Sequence, residues 1–147
     1  MEDKEILNAA LSAELEALEF YGSWQPRMEH EGARVLLGEL VAEEQRHVVV
    51  FREALAGRFT PSAAVPPRRG RDSGRELRAP VIDANSEPSD VVVFAIHKER
   101  KARDKYLHWA EVAQPQVAGL LRAIAAEEQG HLERLEDLLY NEFFKDN

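Results

Sequence analysis

Two copies of a Glu-x-x-His motif, Glu44-Gln45-Arg46-His47 and Glu128-Gln129-Gly130-His131, are the residues of this chain best suited to chemistry. At a spacing of three, a carboxylate and an imidazole share one helical face and can reach one metal ion. A single motif of this kind is a weak signal, because helices are rich in solvated glutamate. Here each copy follows, by 30 and 29 residues, a further glutamate, Glu14 or Glu99, which itself lies seven residues before a tyrosine, Tyr21 or Tyr106. The combination is hard to obtain by chance.

Stepping by threes and fours from these residues recovers apolar seams. The first runs Leu7, Ala10, Glu14, Ala17, Tyr21 and the second Leu37, Leu40, Glu44, His47, Phe51. The third runs Val92, Ala95, Glu99, Ala102, Tyr106, Trp109 and the fourth Leu121, Ile124, Glu128, His131, Leu135, Leu138. Each seam is interrupted at mid-height by an ionisable group. Burying one unpaired carboxylate costs several kcal/mol, and four facing one cavity would also repel one another. Two divalent cations cancel four carboxylate charges, so the set Glu14, Glu44, His47, Glu99, Glu128 and His131 is predicted to hold two metal ions and to be the catalytic centre. Imidazole with carboxylate suits iron or manganese, with zinc a possible occupant, and disfavours calcium. Iron is the expected metal, because a pair of iron ions can divide redox work with dioxygen or peroxide.

The elements that position these residues follow from the same periodicity. Helices are predicted near residues 4–25, 29–57, 89–113 and 116–144, and the chain is all-α. Gln25-Pro26 and Gln114-Pro115 mark short connections, which make antiparallel neighbours. Residues 58–88 are rich in proline, glycine and arginine and form a long crossover. Two antiparallel hairpins joined by one long connection is the ferritin-like four-helix bundle, here a single domain spanning 1–147. The hairpins resemble each other: an offset of 85 residues lays Glu14, Ala17, Tyr21 and Trp24 on Glu99, Ala102, Tyr106 and Trp109.

Composition narrows the function. The chain has 147 residues, no cysteine and a net charge of −8. Thiolate sites and disulfides are excluded, and a general nucleic-acid surface is disfavoured. Without a run of ~20 apolar residues no membrane span is expected, and the chain reads as soluble and cytoplasmic.

Taken together, the pairs Glu14 to Tyr21, Glu44 to His47, Glu99 to Tyr106 and Glu128 to His131 resemble the motifs of the rubrerythrin branch of the ferritin-like superfamily, over nearly the whole chain. The resemblance implies a di-iron oxidoreductase that reduces hydrogen peroxide or dioxygen. It also admits a ferroxidase or iron-storage role. A metal-binding or structural bundle without redox activity is the reading from another class. Rubrerythrins proper carry a cysteine-bound rubredoxin domain; this cysteine-free chain would take electrons from a separate protein, such as a rubredoxin or a reductase. The family also places a glutamate one turn before the third-helix ligand, where this chain has Ile96. Bacterioferritin, which is similar in its motifs, binds haem through a methionine where this chain has Gln45, so no haem is expected. A homodimer is expected.

The remaining polar residues have plainer readings. Tyr21 and Tyr106 are predicted to pack in the core with hydroxyls on ligand carboxylates. Glu43 and Glu127 could orient a histidine or be solvated. His30, His97 and His108 fall off the seams and read as surface residues. Arg68, Arg69, Arg71, Arg75 and Arg78 read as a solvated loop.

Overall fold

A computed structural model describes residues 1–59 and 77–144. Four long helices fill them: α1 (Asp3–Trp24), α2 (Glu31–Leu55), α3 (Pro88–Ala110) and α4 (Pro115–Leu138). The described residues contain no strand. Each predicted helix is present, with ends moved by local capping. A 3-10 turn at Gln25–Arg27 closes the first hairpin around Pro26. His30 then caps α2, its Nδ1 accepting from the Ala33 N–H at 3.1 Å. The α2 helix ends before Gly57, whose φ of +82° is the left-handed conformation glycine adopts freely. Pro88 opens α3, where Glu87 and Asp90 form a reciprocal capping box. Pro115 opens α4, which runs on into a π-helical turn, Leu139–Phe143.

Helix α1 packs along α2 and α3 along α4, and the hairpins meet through α2 with α4 and α1 with α3. The apolar seams divide into two layers. One contains Trp24, Met28, Leu37, Leu40, Val92, Ile96, Leu132 and Leu135. The other contains Ile6, Leu7, Phe51, Ala54, Val117, Leu121 and Ile124. The ionisable residues lie on the same seams and are buried with them. Among the described residues no helix is long and apolar enough to cross a membrane. Arg68, Arg69, Arg71 and Arg75 lie outside the described residues, and Arg78 is exposed.

Candidate metal centre

All six predicted ligands point into one buried layer, none more than 3% exposed. They form two overlapping groups, Glu14, Glu44, His47 and Glu128, and Glu44, Glu99, Glu128 and His131. Within each group one donor atom per residue lies within 4.8 Å of the others. Both imidazoles face inward through Nδ1. His47 Nδ1 is 3.3 Å from Glu128 Oε1, 3.4 Å from Glu14 Oε1 and 3.7 Å from Glu44 Oε2. His131 Nδ1 is 3.6 Å from Glu99 Oε1, 3.7 Å from Glu128 Oε2 and 3.8 Å from Glu44 Oε1.

These separations decide what the site can hold. Most are too long for useful hydrogen bonds. They match the spacing of donors around one ion with bonds of ~2.0–2.2 Å, which sit roughly 3–4 Å apart. Both oxygens of Glu44, Glu99 Oε2, Glu128 Oε1 and the Nδ1 atoms of His47 and His131 are buried without a hydrogen-bond partner. Buried polar atoms are almost always paired. Six orphans aimed at one another fit a pair of cations, and the donor set of carboxylate and imidazole fits iron.

Spacing along a helix does not say which carboxylates would serve both ions. Glu44 turns Oε2 toward His47 and Oε1 toward His131, and Glu128 turns Oε1 and Oε2 likewise. The carboxylates of α2 and α4, one from each hairpin, are therefore the ones that would serve both ions, while Glu14 and Glu99 each belong to one group.

The tyrosines sit where expected, and they cross between hairpins. Tyr21 on α1 donates to Glu99 Oε1 on α3 at 2.7 Å, and Tyr106 on α3 donates to Glu14 Oε1 on α1 at 2.8 Å. Burial, with the nearby carboxylates adding to it, pushes both phenols above their ordinary value, so both remain O–H donors. Replacing either by phenylalanine leaves a buried carboxylate oxygen without its donor. Tyr21→Phe and Tyr106→Phe should each destabilise the metal-free protein by about 1–3 kcal/mol. Urea denaturation checks this; a cost below the measurement error in both would remove the tyrosines from the site.

Glu127 accepts from the Nε2 of His47 at 2.9 Å and is itself gripped by Arg46. Burial alone would push the Glu127 carboxyl up, but His47 and Arg46 hold it low. A carboxylate on the outer nitrogen fixes the tautomer that leaves Nδ1 free to bind a metal. Glu43 faces Arg46 at 3.5 Å instead. The duplication breaks here because Gly130 takes the place of Arg46 on α4.

Two surface assignments need correction. His30 is a half-buried helix cap whose ring lies tilted against that of Phe143, 4.5 Å between centroids. His97 is half-buried, with Nε2 sealed from solvent and unpartnered. His108 is exposed, as expected. Ile96 is fully buried in the apolar layer, so no carboxylate stands there. Sequence reasoning also missed the Arg100–Glu136 pair at 2.9 Å, in which Glu136 is buried. Glu136 lies eight residues after Glu128, two further turns along the same face, which was the available signal.

The charge state follows from crowding. Burial, then repulsion from Glu128, pushes Glu14 up to about 7. Burial also acts on Glu128, but the imidazoles of His131 and His47 more than offset it and hold the carboxyl at about 2. Burial opposes protonation of His47, yet Glu127, Glu128 and Glu14 raise it well above the ordinary imidazole range. The site therefore retains protons where its geometry invites cations.

Residues 90–147 match the rubrerythrin family. Among solved structures, a hypothetical protein from Pyrococcus furiosus superimposes with a TM-score of 0.69 at 26% identity, over 96% of this chain and 92% of that one. No curated protein matches.

Proposed function

We propose that this chain is a ferritin-like protein of the rubrerythrin type, and a di-iron oxidoreductase that reduces peroxide or dioxygen with electrons from a separate donor protein. The observation that carries the reading is the set of six buried donor atoms with no hydrogen-bond partner. A pair of iron ions, when bound, supplies two electrons to the oxidant and accepts them back from the donor. Glu44 and Glu128 would hold both ions, Glu14 with His47 one of them, and Glu99 with His131 the other. Apolar side chains pack at both ends of the site and limit water. Tyr21 and Tyr106 keep Glu99 and Glu14 aimed inward. Glu127 holds His47 in the orientation ligation needs. The cysteine-free chain carries no thiolate redox centre, so a rubredoxin or a reductase is the proposed donor, and a cytoplasmic homodimer the proposed working form.

Handling of iron as cargo is the second reading. It is favoured by Glu43, His47 and Glu127, a third group of potential ligands that shares His47 with the buried pair and extends outward from it. Arg46 engages both of those glutamates, which is why the redox reading stands first.

The test is turnover. Protein loaded anaerobically with two ferrous ions per chain should develop ferric near-ultraviolet absorption when peroxide is added. With a reductant present it should consume peroxide over many cycles. Glu128→Ala should lower that rate by at least a hundredfold. Oxidation that stops after one cycle while ferric iron accumulates would favour the cargo reading, and none at all would defeat both.

A further inference from the structure

Between α1 and α3 the bundle opens into a groove of about 320 Å³ whose lining includes Glu14, Glu99, Tyr21 and Tyr106. On the same measure one water needs only ~15 Å³. The groove is thus far larger than hydrogen peroxide or dioxygen requires, and it falls at the lower end of the ~300–1,000 Å³ typical of ligand pockets. Small or apolar side chains, Ala13, Ala17, Phe94 and Ala102, line part of it.

The charge at its mouth is opposite to that of the protein. Lys98, Lys101 and Lys105 form one stripe of α3, at spacings of three and four, and all line the groove. Among the described residues none of the three makes an ion pair. Lys98 Nζ lies 5.5 Å from the rings of Phe20 and Phe94, and Lys105 Nζ lies 5.9 Å from Trp109. Among the described residues, Glu16 is the one carboxylate of the lining besides the two inner ligands. With four ligand carboxylates balanced by two divalent ions, the lysines set the sign of the groove. The buried, unpartnered Nε2 of His97 adds a polar atom in its wall.

We infer that the groove admits an organic hydroperoxide bearing a carboxylate, with the carboxylate on the lysine stripe and the hydroperoxide against the inner ligands. This rests on the peroxide-reducing reading above. The stripe begins beside Glu99, and Lys101 and Lys105 follow it by two and six residues, on the order of 3–9 Å along the helix at 1.5 Å per residue. An aromatic ring or a short acyl chain spans that gap. The hydroperoxide ROOH takes up two electrons and two protons, its O–O bond breaks, and it leaves as the alcohol ROH and water. The two electrons would be supplied by a pair of ferrous ions held by the six ligands and replenished by the donor protein.

Cumene hydroperoxide and its para-carboxy analogue differ only in the head group and provide the test. The iron-loaded protein should turn over the carboxylate with a kcat/KM about tenfold higher, through KM. The variant Lys98→Gln/Lys101→Gln/Lys105→Gln should erase that preference, since three exposed contacts of about twofold each multiply to roughly that factor. Equal kcat/KM for both compounds, or a preference that survives the triple substitution, overturns the inference. If no peroxide is reduced, the peroxide-reducing reading has failed. Calorimetry of the zinc-loaded protein with the two corresponding alcohols then reads the groove alone. Lysine-dependent binding of the carboxylated alcohol keeps the carboxylate site, and its absence removes it.

Discussion

Loading the metal-free protein with two divalent ions should raise its thermal midpoint by roughly 15–30 °C. Each ion present at a thousand times its dissociation constant stabilises the folded state by ~4 kcal/mol. For a chain of this length each kcal/mol moves the midpoint by about 2–4 °C. Stabilisation should be large because binding removes a folded-state penalty: six buried donor atoms lack partners until cations arrive. Substitutions then divide by position. Glu128 belongs to both groups of donors, so Glu128→Ala should lose both ions and nearly the whole shift. Glu99 belongs to one group, so Glu99→Ala should retain one ion and about half the shift. Scanning calorimetry with manganese or anaerobic ferrous iron, beside elemental analysis, checks both. A midpoint that rises equally in Glu128→Ala would mean the metal sits elsewhere.

Much of this was legible because an α-helix enforces its own arithmetic. An inward residue at Leu7 and Ala10 obliges Glu14 to be inward too, whatever its charge, and the same holds for Glu44 after Leu40 and Glu128 after Ile124. The crossed hydrogen bonds of Tyr21 and Tyr106 were half legible: that each would hold a ligand carboxylate followed from burial, but which one depends on how α1 faces α3. Bridging by Glu44 and Glu128 was not legible, since i and i+3 spacing says only that each helix can serve one ion. The divergence of each carboxylate's two oxygens arises between helices. For the same reason the lysine stripe was not singled out from the sequence. It lines a groove that α1 completes with Ala13 and Ala17. His30 was misplaced because a helix cap depends on local backbone geometry, here a hydrogen bond to Ala33.

Glu14→Gln should stabilise the metal-free protein at pH 8 while weakening its hold on metal. The Glu14 carboxyl is raised from 4.5 to about 7 in the folded chain. Below pH 4.5 it is protonated whether folded or unfolded, and it contributes nothing. As pH rises from 4.5 to 7 the unfolded chain ionises first, so the folded state loses stability and carries the full cost, about 3 kcal/mol, above pH 7. His47 acts in the same direction: raised in the folded state, it contributes stability that is complete below its ordinary value and is lost as pH climbs through the folded one. Glu128, held at about 2, contributes stability above 4.5 and loses it as pH falls toward 2. The metal-free protein is therefore most stable near pH 4.5, where Glu128 already contributes in full and Glu14 does not yet cost. Glutamine keeps an oxygen to accept from Tyr106 and removes the charge. Its gain should be near zero at pH 4.5 and up to about 3 kcal/mol at pH 8, or roughly 6–12 °C in midpoint. Metal reverses the ordering, because ligation needs Glu14 ionised and His47 Nδ1 free of its proton. Wild-type affinity should climb with pH toward 7 as protons are released, and the variant should bind one ion fewer. Thermal melts of chelated protein at pH 4.5 and pH 8 decide the matter. A variant no more stable than wild type at pH 8 would show that Glu14 carries no unbalanced charge, and that the pull toward cations comes from other members of the cluster.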